Sequence, residues 1–290
     1  MNRLDPPNID DVATLNDLAA DSGISSYPHL QGHIAALNAA YANYEAAQGA
    51  VSGIAAVVLP ADVVAYLHTH FKSPPNRLSF IKDLRKVSSA RTCPMCGSLH
   101  SGTLDHLIPR TPHPAFSIYS RNLVPACKCN STKNAAMVGP MPGERILHPY
   151  FDDCLRERIL RAHFTDHGRV PRITLEVLVD AQHAMRPAID YHVKTIVSRT
   201  SVVHYLADRW AALCRRPQTV VADLKQQILD PLQLGAILNA ERNRTDENRG
   251  SANNWDSLFV AGLLEPETFA WLYLRLTDPA YQPGNSLEWT

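Results

Sequence analysis

The sequence predicts an α+β protein in which a small, cysteine-stapled module of two short strands and a helix lies between mainly helical regions. Three patterns point there. Apolar residues recur at spacings of three and four on both sides of the chain; a middle stretch carries four of the six cysteines among prolines and histidines; and Ile173, Leu175, Val177 and Val179 alternate with other residues. These patterns divide the chain into a helical N-terminal region at 1–88, the module at 89–153, and a mainly helical C-terminal region with a short strand pair at 154–290.

In the first region Leu30, Ile34, Leu37, Tyr41 and Tyr44 form one apolar stripe on a helix. Pro60 before Ala61-Asp62-Val63-Val64 reads as a helix opening with proline near its first position. Leu78, Ile81 and Leu84 make a shorter amphipathic piece with Lys82, Arg85 and Lys86 on its other sides. The middle region has little apolar area of its own, so a bound metal would serve as its staple. Beyond it, Ile173 to Val179 reads as a half-buried strand, Ile189, Val193 and Ile196 as one helix, and Leu206, Trp210 and Leu213 as another. The polar run Asn243 to Asn254 reads as an exposed loop.

Composition bounds the function. With 290 residues, 45% hydrophobic and 19% charged, the chain is globular and not disordered. Lys+Arg and Asp+Glu both number 28, so any basic surface for nucleic acid must be a local patch. The longest apolar run, Gly53 to Leu59, stops at Pro60, far short of the roughly 20 residues a spanning helix needs. The N-terminus shows no secretory pattern and the cysteines come in close pairs, which predicts metal binding in a reducing cytoplasm, with no membrane partner.

The chemistry-bearing residues lie between Cys93 and Lys133. Cys93-Pro94-Met95-Cys96-Gly97 can grip one zinc from a tight turn, with Gly97 permitting the turn's backbone. A second pair, Cys127-Lys128-Cys129, follows about 30 residues on and favours a four-sulfur structural zinc site. Between them, Leu104-Asp105-His106-Leu107 reads as a short strand. Strand neighbours point to opposite faces, which suits a carboxylate that holds a hard metal beside an imidazole that takes a proton. Alone, an Asp-His pair is more often a polar surface feature. Arg121-Asn122-Leu123-Val124-Pro125-Ala126 reads as a second strand stopped by proline, and Cys129-Asn130-Ser131 as a helix start capped by Asn130 or Ser131. Asn130 can also offer an oxygen to Mg²⁺. His68 and His70 do not share a helix face and read as structural. His113, between Pro112 and Pro114, reads as an exposed turn within reach of substrate; Cys154 and Cys214 read as buried free thiols, and the four tryptophans as core.

Together, Cys93-x-x-Cys96, Asp105-His106-x-x-Pro109-Arg110, Asn122-Leu123-x-Pro125-x-Cys127 and Cys129-Asn130-x-x-Lys133 resemble the zinc-containing branch of the HNH endonucleases over roughly 40 residues. A weaker likeness continues through Ile146-Leu147-His148-Pro149-Tyr150-Phe151-Asp152. The resemblance implies a ββα-metal fold and hydrolysis of phosphodiester bonds. It makes His106 the general base, Asp105 and Asn130 the ligands of a catalytic Mg²⁺ (or Mn²⁺), and Asn122 the brace of the loop that orients His106. Arg110, Arg121 and Lys133 are its candidates for phosphate contact. Asn130 stands where the family's name has its final His. The second pair departs from the family's C-x-x-C by one residue, which leaves Cys127 or His100 to complete the zinc site.

The substrate implied is DNA, nicked or cut through, with RNA a less favoured alternative. By analogy, HNH proteins with extra helical regions serve in restriction or anti-phage defence, so a protein partner such as an ATPase or sensor, or further copies of the chain, are expected partners. Two rivals stand beside the nuclease: a non-catalytic zinc ribbon that binds nucleic acid, and a structural or partner-binding protein whose zinc knuckle is only a staple.

Overall fold

Helices α1 (Asp11–Ala20), α2 (Ile34–Ala46), α3 (Ala61–Lys72) and α4 (Ser79–Val87) precede the first strand in the computed structural model, which describes residues 1–87, 92–132 and 137–287. Strand β1 (Thr103–His106) pairs antiparallel with β2 (Leu123–Ala126), and β2 runs almost directly into the single turn α5 (Cys129–Thr132). Then come the antiparallel pair β3 (Leu160–Thr165) and β4 (Arg172–Val177) and helices α6 (Arg186–Thr195), α7 (Val202–Arg215), α8 (Pro231–Arg249), α9 (Trp255–Leu263) and α10 (Pro266–Leu276). The protein is α+β. No helix among the described residues is long and apolar enough to cross a membrane.

The apolar stripe of α2 is buried at Leu37, Tyr41 and Tyr44. Its tyrosines pack onto Phe116 and Tyr119 of the β1–β2 connection, with Tyr41 stacked on Tyr119 at 4.2 Å and Tyr44 edge-on to Phe116 at 5.0 Å. Helix α4 buries Ile81 against both strands of the first sheet and leaves Lys82 and Lys86 exposed. The N-terminal helices therefore roof the β1–β2 hairpin. In the C-terminal part α9 lies on β3 so closely that a Cβ at Gly262 would collide with the Ala162 carbonyl oxygen. Phe164 of β3, Trp210 of α7 and Phe259 of α9 meet there in the core. Val177 and the other inward residues of β4 are half-buried, as their alternation predicts.

Several local expectations are corrected. Asn243 to Arg249 belong to α8, which ends where Gly250 takes a left-handed φ of 62°. Its polar residues line the solvent side of a long helix, and a periodic apolar signal is absent from such a face. Beyond it, Asn253 and Asn254 are fully buried. The Asn253 Oδ1 accepts from Ile159 N at 2.8 Å and its Nδ2 donates to Glu157 O at 2.7 Å, while Asn254 caps α9. Buried amides are stable here because both their donor and their acceptor are paired with backbone groups. Pro125 does not stop β2 but sits inside it, opposite Leu104. A two-stranded sheet has only edges, and an edge tolerates a residue without an N–H. Pro60 does open a helix, as expected, standing at the N-cap of α3 next to its first residue. Helix α5 starts at Cys129, so Asn130 and Ser131 stand at positions within it and not at the position before its first residue. Cys154 is only half-buried, whereas Cys214 is buried, and both are free thiols. Trp210 and Trp255 are buried and Trp271 half-buried, while Trp289 lies outside the described residues.

Candidate metal centre and active site

The two cysteine pairs converge. The Sγ atoms of Cys93, Cys96, Cys127 and Cys129 all lie within 4.8 Å of one another. Cys93 and Cys129 are 3.6 Å apart, and Cys96 and Cys127 3.5 Å. Zinc with four thiolates at about 2.3 Å requires sulfurs about 3.8 Å apart, so this set could hold a metal ion. Four thiolates so close repel strongly, and their joint deprotonation needs a cation among them. The one-residue-shorter second pair suffices because Cys127 is the residue leaving β2 and Cys129 the first of α5. His100 is not a member of the group, and Cys127 takes the place for which both were candidates.

The first pair is held by its own turn. Gly97 N donates to Cys93 O at 2.9 Å and Cys93 N to Ser98 O at 2.8 Å. Gly97 adopts φ 79°, and a Cβ there would collide with Asn253 O and Met1 N, so only glycine fits. The C-terminal region clamps this turn from outside. Trp255 donates its Nε1 to Cys96 O at 2.8 Å and its backbone N to Gly97 O at 3.0 Å. His192 of α6, wholly buried, receives Leu147 N on Nδ1 at 3.1 Å, so its proton is on Nε2 and is donated to Met95 O at 2.6 Å. Burial is the main cause that lowers this imidazole to a pKa of about 4, which keeps it neutral.

On β1 exposure alternates, with Leu104 and His106 inward and Asp105 half-buried between them. The His106 Nε2 lies 2.8 Å from Ser117 O. A carbonyl only accepts, so Nε2 carries the proton and Nδ1 the lone pair. The imidazole packs against the Phe71 ring of α3 at 4.2 Å. One Asp105 carboxylate oxygen accepts from His106 N at 2.7 Å.

Asn122, fully buried just before β2, ties the loop between the strands. Its Oδ1 accepts from Ile108 N at 2.8 Å and from Tyr44 Oη at 3.1 Å, and its Nδ2 donates to Ile108 O at 3.1 Å and Phe116 O at 3.2 Å. Phe116 precedes Ser117, the residue that anchors His106, so Asn122 fixes the peptide next to the one that carries the anchoring carbonyl. The chain of contacts continues through Tyr44 to His148 Nε2 at 3.0 Å. Nδ1 of His148 accepts from Tyr150 N at 3.1 Å. Asp152 secures this tail by receiving Arg145 at 2.5 Å and 2.7 Å and His148 N at 2.6 Å.

Asp105, His106, Asn122 and Arg110 thus share one end of the hairpin. Arg110 lies over the Phe71 ring at 5.6 Å, and Arg85 of α4 over the same ring at 4.9 Å. Arg121 is directed elsewhere, towards Glu45 of α2 at 3.7 Å. Asn130 is in α5, next to Cys129, but its side chain lies outside the described residues, as does the whole of Lys133. His113 is half-buried and not exposed, its Nδ1 has no hydrogen-bond partner among the described residues, and burial holds its imidazole below the usual range. His70 is structural, bonded to Ser26 Oγ at 2.9 Å.

Phe71, Arg85, Tyr44 and Ser117 were not among the candidate site residues read from sequence. Arg85 left a trace there only on the basic side of the amphipathic piece that became α4, and Tyr44 only in the apolar stripe of α2.

Comparison with known proteins gives one partial likeness. A stretch of 97 residues is 33% identical to protein ea31 of Escherichia phage lambda, and it spans 32% of this chain and 32% of that protein. No family model and no solved structure matches.

Proposed function

We propose that the protein is a metal-dependent endonuclease of the HNH type that hydrolyses phosphodiester bonds in DNA, with zinc in the four-cysteine cluster as its staple. The observation that carries this reading is the way His106 is held. Its Nε2 is anchored on Ser117 O, and the neighbouring peptide is tied down by Asn122. A cysteine-bound staple needs neither contact. A base requires a fixed lone pair, and Nδ1 supplies one. In this reading His106 removes the proton from the attacking water, and Asn122 is the positioning residue that holds the loop. Asp105 and Asn130 would hold Mg²⁺ or Mn²⁺, which when bound offsets charge that grows on the phosphate oxygens. Arg110 and Arg85, gathered on Phe71, would meet phosphates beside the scissile one.

The test is plasmid cleavage by zinc-loaded protein in Mg²⁺, Mn²⁺ or EDTA, with Asp105→Ala compared at equal zinc content. The reading requires cleavage in a divalent ion, none in EDTA, and a large loss in the variant. Unchanged cleavage by Asp105→Ala would remove that carboxylate from the site. A second reading, a non-catalytic zinc module that binds nucleic acid, is favoured by one observation: His106 is only 5% exposed. Saturable DNA binding without cleavage in any metal would select it. An effector role in restriction or anti-phage defence, beside an ATPase or sensor, rests on analogy and is tested by co-purification from the native host.

A further inference from the structure

We infer that a cavity between α7, α8 and α9, separate from the hairpin, binds a phosphate-bearing small molecule through Arg209 and Arg249. The cavity measures about 460 Å³ and is bounded on one side by Leu99, just beyond the first cysteine pair. That volume exceeds a lone ion and lies in the range of small-ligand sites, ~300–1,000 Å³.

Its charges do not cancel. Five ionisable side chains of fixed charge line it: Arg209, Arg244, Arg249, Glu241 and Asp256. Arg244 and Glu241 neutralise each other in a two-point contact, 2.6 Å and 3.0 Å. Asp256 must then serve two guanidinium groups. Its Oδ2 accepts from Arg249 Nη2 at 3.2 Å, while its Oδ1 accepts from Tyr205 Oη and stands 3.8 Å from Arg209 Nε. Among the lining side chains one positive charge is left over, with Asp223, outside the lining, acting on Arg244. The Arg209 Nε is a buried donor with no hydrogen-bond partner among the described residues. A buried charged donor without an acceptor is costly, and a tetrahedral oxyanion offers acceptors to two guanidinium forks at once. Guanidinium groups favour phosphate for the same geometric reason.

The cavity is joined to the cysteine cluster by short covalent and hydrogen-bonded steps. Asp256 follows Trp255, which bonds the Cys96 carbonyl, and Arg249 O accepts from Thr92 Oγ1 at 3.0 Å beside Cys93. A ligand that bridges Arg209 and Arg249 would therefore brace α8 and α9 against the cysteine turn.

Calorimetric titration of the full, zinc-loaded chain with inorganic phosphate, AMP and ATP tests this without any nuclease readout, so its outcome is independent of the proposed function. Saturable one-to-one binding of at least one probe is expected, weakened about tenfold or more in Arg209→Gln with zinc content unchanged. Equal affinity for phosphate and nucleotide would define a bare anion site, and tighter nucleotide binding would mean that the rest of the cavity contributes; either supports the inference. Should Arg209→Gln fail to fold, Arg209→Lys keeps the charge without the fork and should bind more weakly than wild type. Absence of saturable binding by all three probes overturns the inference, as does wild-type affinity in the folded variant.

Discussion

Asn122→Ala tests the bracing of the hairpin most severely. The amide makes four buried contacts, two with Ile108, one with Phe116 O and one with Tyr44 Oη. Tyr44 Oη keeps the hydrogen bond it accepts from His148 Nε2, whose proton is fixed there because Nδ1 accepts from Tyr150 N, but its own proton loses the Asn122 acceptor. Three groups, Ile108 N, Ile108 O and the Tyr44 hydroxyl proton, lose their partner in a site with no exposure at Asn122, while Phe116 O still accepts from Tyr119 N at 3.4 Å. A stranded buried group costs ~1–3 kcal/mol, and partial relaxation leaves an expected loss of about 3–5 kcal/mol. Against a typical ~5–15 kcal/mol for a whole domain, the variant should stay folded but marginal. Asn122→Asp separates hydrogen bonding from volume. It keeps the acceptor for Ile108 N but turns an anionic oxygen towards two carbonyls, so at neutral pH it should be at least as damaging as alanine. Its stability relative to wild type should improve on acidification, when the new carboxyl binds a proton and can donate. Urea unfolding of the zinc-loaded proteins between pH 5 and 8 reads both effects. A loss below about 1 kcal/mol for Asn122→Ala, or an aspartate variant as stable as wild type at neutral pH, would refute the bracing argument.

Three further outcomes follow from the geometry. Cys127→Ser should lower zinc affinity and leave less than one ion per chain after dialysis against a chelator, measured by elemental analysis; full retention would mean that another residue replaces Cys127. His192 is held near a pKa of about 4 in the folded protein against about 6.5 when unfolded. The unfolded chain thus binds more protons between these values, and the contribution of His192, on the order of 3 kcal/mol, is complete above about pH 6.5 and lost as pH falls towards 4. In urea unfolding, His192→Gln should flatten that part of the pH profile. Phe71→Leu keeps an apolar contact beneath His106 but removes the ring that Arg85 and Arg110 overlie. Under the proposed function it should raise KM for DNA and steepen the loss of cleavage with salt, while the unfolding midpoint moves little.

What was legible in the sequence was local. The cysteine pairs announce themselves because one ion must be gripped from two tight turns, and the stripe on α2 and the alternation in β4 are direct consequences of helix and strand periods. The Asp105-His106 strand and the tie at Asn122 were legible only as a combination of motifs, since neither pair of letters means much alone. Contacts made by folding were not legible. Phe71 under His106, Tyr44 between Asn122 and His148, and His192 and Trp255 on the cysteine turn join distant parts of the chain, and no spacing rule encodes such pairs. The polar end of α8 misled for a different reason: asparagine and arginine on a solvent-facing helix look like loop residues, and the buried amides of Asn253 and Asn254 have hydrogen-bonding roles that composition hides.

The decisive measurement is the single-turnover rate of plasmid cleavage in Mg²⁺ by wild type and by His106→Ala, at equal zinc content and with matched unfolding midpoints. If an imidazole fixed on Ser117 takes the proton of the attacking water, the variant loses ~10²–10⁴-fold in rate while it still binds DNA. A variant that cuts as fast as wild type would contradict the account.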